Sequence, residues 1–154
     1  MKNRDLAYME AGHAVAASLM RKGFGSVSLD PDQSLGRRLM QTADDWSQPG
    51  TATQAEIRQA RHEQATIYLA GAEALVRALG GSDAVRFSDE MEWIRANVAR
   101  MARRYDFMPM VEAVAGRLVD RGTLTDEEID EVIQQVRARL DVENLKNLKE
   151  YTTA

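Results

Sequence analysis

The stretch from Leu6 to Ala17, Leu-Ala-Tyr-Met-Glu-Ala-Gly-His-Ala-Val-Ala-Ala, constrains this chain more than any other. It is dense in alanine, the best helix former, and it carries a glycine in its middle. Such a run predicts a helix with small packing faces. Asn3 or Asp5 can cap it, Leu6, Ala14, Val15 and Leu19 supply apolar contacts, and Gly23 and Gly25 end it after about Met20. Residues three and four apart share a helix face, so Met9, Glu10 and His13 project together.

That grouping is one residue away from H-E-x-x-H, in which two histidines four apart grip zinc and the glutamate polarises a metal-bound water. Here Met9 stands where the first histidine would be. The longer phrase Ala7-Tyr8-Met9-Glu10-Ala11-Gly12-His13-Ala14 resembles the zinc helix of the FtsH-type ATP-dependent metalloproteases, which reads A-Y-H-E-A-G-H-A. Three later phrases also resemble that family's protease domain, in order: Leu69-Ala70-Gly71-Ala72-Glu73-Ala74, Ser88-Asp89-Glu90-Met91-Glu92-Trp93, and Gly122-Thr123-Leu124-Thr125-Asp126-Glu127-Glu128-Ile129.

The resemblance implies a set of roles. Glu10 takes the place of the general base, His13 of the second zinc ligand, and Asp89 of the aspartate ligand that completes the site. Met9 occupies the first-ligand position. A thioether is neutral and soft, and a weak partner for Zn²⁺, while catalytic zinc uses three protein ligands and a water. The expectation is a zinc site weakened to the point of loss, a pseudoprotease that keeps the fold and binds peptide or protein partners. Met9→His is then expected to restore zinc. Two alternatives stand beside this. One is an active zinc metallopeptidase with a rescued ligand set, for which His62 is the other histidine in the chain. The other is a helical assembly protein unrelated to proteolysis. FtsH-type protease domains form hexameric rings, so the resemblance also implies a homo-oligomer.

Composition bounds the rest. The chain's 154 residues suit one domain able to bury a core. Apolar residues at 44% and charged residues at 29% are ordinary for a globular protein. A net charge of −4 with scattered basic residues argues against nucleic acid as a partner. The absence of cysteine excludes disulfides and thiolate metal sites. No apolar run reaches the ~20 residues of a membrane span, and the N-terminus lacks a signal-peptide core, so no membrane partner and a cytoplasmic location are expected. FtsH-type proteases place membrane helices and an ATPase module ahead of the protease domain. Residues 1–154 read as the peptidase-like domain alone, without a phosphate-binding loop, so any ATP-driven unfolding is expected from a partner.

The fold class expected is mostly α: a single helical, zincin-type, FtsH-protease-like domain with a small β-hairpin after the first helix. Ser26–Leu29 and Arg37–Met40 are the predicted strands, around a turn-rich Asp30-Pro31-Asp32-Gln33-Ser34. The hairpin reads equally as a rail for substrate peptide or as a cover for the first helix. Thr53 and Glu56 form a capping box that opens a second helix with Ile57, Ala60, Ile67, Gly71, Leu75 and Leu79 at helical spacing. Within it Gly71, flanked by Ala70 and Ala72, predicts close approach of a neighbouring helix. Ser88 caps a third helix from Asp89 to about Tyr105, with Met91, Ile94, Val98 and Met101 in its stripe. Pro109 opens a fourth, with Val111, Val114, Leu118 and Val119 inward and Gly122 at its end. A capping box from Thr125 to Glu128 starts the last, which buries Ile129, Val132, Ile133, Val136 and Leu140 and continues through Leu145 and Leu148.

Overall fold

A computed structural model describes residues 3–39, 53–80 and 92–153. In chain order the elements are α1 (Asn3–Leu19), β1 (Ser26–Ser28), α2 (residues 35–39), α3 (Gln54–Ala78), α4 (Glu92–Ala102), α5 (Phe107–Arg121), β2 (Thr123–Thr125) and α6 (Asp126–Thr153). The chain is mostly helical, and among the described residues no helix is long and apolar enough to cross a membrane.

α1 is the central element. Ala7 and every residue from Glu10 to Ala17 are buried, so this helix is covered on all sides. Only small side chains permit that, because neighbouring helices must come in close around it. α3, α5 and α6 all pack against α1. The crossing with α3 is the tightest. A Cβ on Gly12 would lie 2.6 Å from Ala74 Cβ and 2.9 Å from Gly71 Cα. The helix approach expected at Gly71 is therefore there, and α1 is the neighbour that makes it. Val15 joins Phe107, Met110, Val111, Val114 and Leu118 of α5 and Ile129 and Ile133 of α6 in the main core.

Both expected capping boxes form. Thr53 Oγ1 accepts from Glu56 N–H while Glu56 accepts from Thr53 N–H. Thr125 and Glu128 exchange the same pair of bonds at the head of α6. Gly122 ends α5 with φ +79 and donates its N–H to Leu118 O at 2.7 Å. The end of α1 differs from expectation. The closing residue is Arg21, at φ 56, with Lys22 N–H on Ala17 O and Arg21 N–H on Ser18 O. These bonds make a Schellman motif with an arginine where glycine is usual.

The two-stranded antiparallel sheet begins where it was expected, with β1 after the first helix, but its second strand comes from elsewhere. Ser26, Val27 and Ser28 pair with Thr125, Leu124 and Thr123, 95 residues along at the closest-numbered pair. Residues 37–39, expected to be the return strand, are helical in α2. Three-residue strands carry too little alternation to announce a partner, and tertiary contacts decided the pairing. Two apolar positions placed in the helical stripes face outward instead: Val119 is 53% exposed and Leu79 70%. The expected loop over 43–52, the Ser88 cap and Met91 lie outside the described residues.

Candidate functional site

Glu10 and His13 lie one turn apart on α1, and both are 1% exposed. Each is fully engaged. Glu10 Oε2 accepts the N–H of Leu35 at 2.7 Å, and its Oε1 accepts the N–H of Gly36 at 3.2 Å. Those are the first two N–H groups of α2, which no intrahelical carbonyl can satisfy. Ser34 Oγ takes the third, from Arg37, at 3.2 Å. Glu10 is thus the remote half of a helix cap, and its contacts explain why residues 35–39 coil into a helix rather than extend into a strand.

His13 continues the chain of bonds. Its Nε2 donates to Tyr68 O at 3.0 Å, and a carbonyl can only accept, so Nε2 carries the hydrogen. Its Nδ1 lies 3.3 Å from Glu10 Oε1. The ring stacks on the Tyr68 ring, with centroids 5.6 Å apart and planes 18° from parallel. Two glycines make room for it. A Cβ on Gly71 would overlap His13 Nε2 and Cδ2, and one on Gly36 would lie 2.9 Å from His13 Cε1. The result is a continuous buried circuit from α2 through Glu10 and His13 to the backbone of α3.

The other sequence-derived positions divide. Met9 is half-buried, on the α1 face that meets α3; its carbonyl would be 2.7 Å from a Cβ on Gly71. Asp89 lies outside the described residues, as does the Trp93 side chain. His62 is half-buried on α3, and its carbonyl accepts from Thr66 Oγ1 at 2.8 Å. Among the described residues no group of three or more His, Cys, Asp or Glu side chains is placed to hold a metal ion. The arrangement of His13 bears directly on zinc. A ligand histidine gives one ring nitrogen to the metal and the other to a supporting acceptor. Here both nitrogens are held by protein groups, and both Glu10 oxygens are held by N–H donors.

The edge of β1, one candidate peptide rail, is also taken. Asp126 N–H on Gly25 O and Leu29 N–H on Gly122 O show that odd-numbered residues bond inward to β2. The carbonyls of Phe24 and Ser26 therefore point outward, and the Arg38 guanidinium donates to both, to Phe24 O at 2.8 Å. An added strand would have to displace Arg38.

Two features carried no motif. One is a second buried carboxylate, Asp106, 2% exposed. Arg104 grips it with two bonds of 3.0 Å, and Arg137 Nε lies 3.6 Å from its Oδ2. The hydrogen bonds from Arg104 hold the Asp106 carboxyl below the usual aspartate range, against the opposing effect of burial. The other is a cleft of about 450 Å³ between the end of α1, α3 and α4. Leu19, Met20 and Met101 line it together with Thr66 and the charged Glu63, Arg100 and Arg104.

No family model, no curated protein and no solved structure matches this chain.

Proposed function

We propose that this chain is a peptide- or protein-binding domain derived from the FtsH-type protease plan, in which the old catalytic helix holds the fold together instead of holding zinc. The observation that carries the reading is the closed circuit of Glu10 and His13. A general base must reach a water, and a ligand histidine must present a nitrogen. Both groups spend those atoms on the backbones of α2 and α3. Met9 offers only a thioether in the position that would need a third donor.

We assign the partner to the cleft beside Met101. Its volume suits a bulky apolar side chain of an extended peptide, and Arg100 in its lining suits an acidic group next to that side chain. The β1 edge is the poorer route because Arg38 covers it.

The test uses labelled, unfolded casein with the protein as purified and again after equilibration with zinc. Binding seen as a rise in anisotropy, without cleavage and without stoichiometric zinc, is expected. Met101→Glu is expected to weaken that binding about tenfold, the effect of putting a charge into an apolar contact. Cleavage that a chelator stops would overturn the reading in favour of an active metallopeptidase. Failure to bind any unfolded chain would leave the fold-holding role of Glu10 intact but remove the partner.

A further inference from the structure

The cleft beside Met101 carries one charge that its own neighbours do not balance. Its charged lining residues are Glu63, Arg100 and Arg104. Lys22 pairs with Glu63 at 2.7 Å, and Arg104 is engaged with Asp106 through two bonds of 3.0 Å. Arg100 on α4 makes no hydrogen bond or ion pair among the described residues, and neither does the side chain of Asn97, which also lines the cleft. Residues three apart share a helix face, so this guanidinium and this carboxamide offer their N–H donors together. Leu19, Met20 and Met101 supply apolar surface in the same cleft. An occupant that answers both has one anionic group close to one apolar group.

The covalent geometry of a peptide narrows that occupant. Adjacent side chains of an extended chain point to opposite faces, and side chains on one face stand about 7 Å apart. An acidic residue adjacent in sequence to an apolar one therefore turns away from the cleft that the apolar one enters. At the last residue of a chain the carboxylate and the side chain leave the same Cα, so both enter together. The two carboxylate oxygens match the fork of a guanidinium, and the Asn97 amide supplies a further donor. Methionine is unbranched and adaptable, so Met20 and Met101 can fit leucine, methionine or phenylalanine alike. We propose that the cleft binds the C-terminus of a partner chain, with Arg100 and Asn97 on the free carboxylate and Met20 and Met101 around a large apolar final residue. This rests on the assignment of the peptide site to this cleft, and it specifies the acidic group as the end of the main chain.

The test is fluorescence anisotropy with short peptides labelled at the N-terminus and ending in leucine, one as the free acid and one as the C-terminal amide. A third peptide is amidated and carries glutamate two residues before its leucine. The free acid is expected to bind about tenfold or more tightly than the plain amide, the effect of a charge-assisted, two-pronged bond. Arg100→Gln is expected to bring the free acid down to the level of the amide and to leave the amide as it was. Arg100 is exposed, so this change leaves the fold intact. Met101→Glu is expected to weaken both. Equal binding of acid and amide, both lost in Met101→Glu, would overturn the C-terminal reading and leave the cleft as a peptide site. A glutamate-bearing amide that binds as tightly as the free acid would do the same. Binding that Met101→Glu leaves untouched, or no binding of any peptide, would overturn the assignment of the cleft and this proposal with it.

Discussion

Glu10 and Asp106 are both buried carboxylates, and they are satisfied in opposite ways. Glu10 is met by two backbone N–H groups of α2, which must be packed in place first, and by the imidazole one turn along its own helix. Asp106 is met by two guanidinium groups, each about half exposed to solvent. The first arrangement depends on the helix crossing that surrounds it, and the second depends on charge. The contrast teaches that a buried acid is not by itself a sign of chemistry. In each case the carboxylate ties two elements together: α1 to α2 through Glu10, and the start of α5 to α6 through Asp106 and Arg137.

If that contrast holds, the largest effect comes from disturbing the packing around His13. Gly71→Ala puts a methyl group into the His13 ring, so the ring must move and Nε2 must leave Tyr68 O. Overpacking together with the lost buried bond should cost roughly 2–4 kcal/mol in urea unfolding. A stability within error of the parent would break the claim that this crossing locks the circuit.

The Asp106 corner should respond less, and with pH. Asp106→Asn replaces charge-assisted bonds by neutral ones to partners that water already screens, a loss of about 1–2 kcal/mol at neutral pH. Because the folded carboxyl titrates below its unfolded value near 3.8, its contribution is fully present above that value. It is lost as the pH falls through the lower, folded value. The gap in urea midpoint between parent and variant should therefore narrow on acidification below about pH 4. A gap that stays constant or widens would show that the arginines do not act through the Asp106 charge.

The smallest effect is a gain. Arg21 holds the left-handed position that closes α1, where a side chain is strained. Arg21→Gly should raise stability by about 0.5–1 kcal/mol, relief of strain being partly offset by a more flexible unfolded chain. A loss in thermal unfolding would mean that the Arg21 side chain contributes more than its backbone costs.

Much of the scaffold was legible because it is written locally. The two capping boxes, the glycine that ends α5 and the apolar spacing of Ile94, Val98, Val111 and Val114 need only neighbours in sequence. Gly71 was legible because a glycine between alanines has no other use inside a long helix. The pairing of β1 with β2 was not, since three residues on each side specify no register across 95 positions. Nor was α2, whose first N–H groups are satisfied by Glu10, 25 and 26 residues earlier. The candidate site shows the same divide. The spacing of Glu10 and His13 on one helix face was readable, but what they bond to was not, because Tyr68 and Leu35 belong to other elements. Asp106 announced nothing, as Arg137 comes beside it only once α5 and α6 are packed.

The central claim is that Glu10 holds the fold rather than acting on a metal-bound water, and Glu10→Gln tests it most directly. The change keeps shape and volume but turns one carboxylate oxygen into an N–H₂ group, which must then face a backbone N–H donor of α2 or the ring of His13. The account predicts a loss of about 1–3 kcal/mol in urea unfolding at neutral pH, the penalty for a buried donor left without an acceptor. An unchanged or raised stability, as expected when a catalytic carboxylate is neutralised, would contradict it.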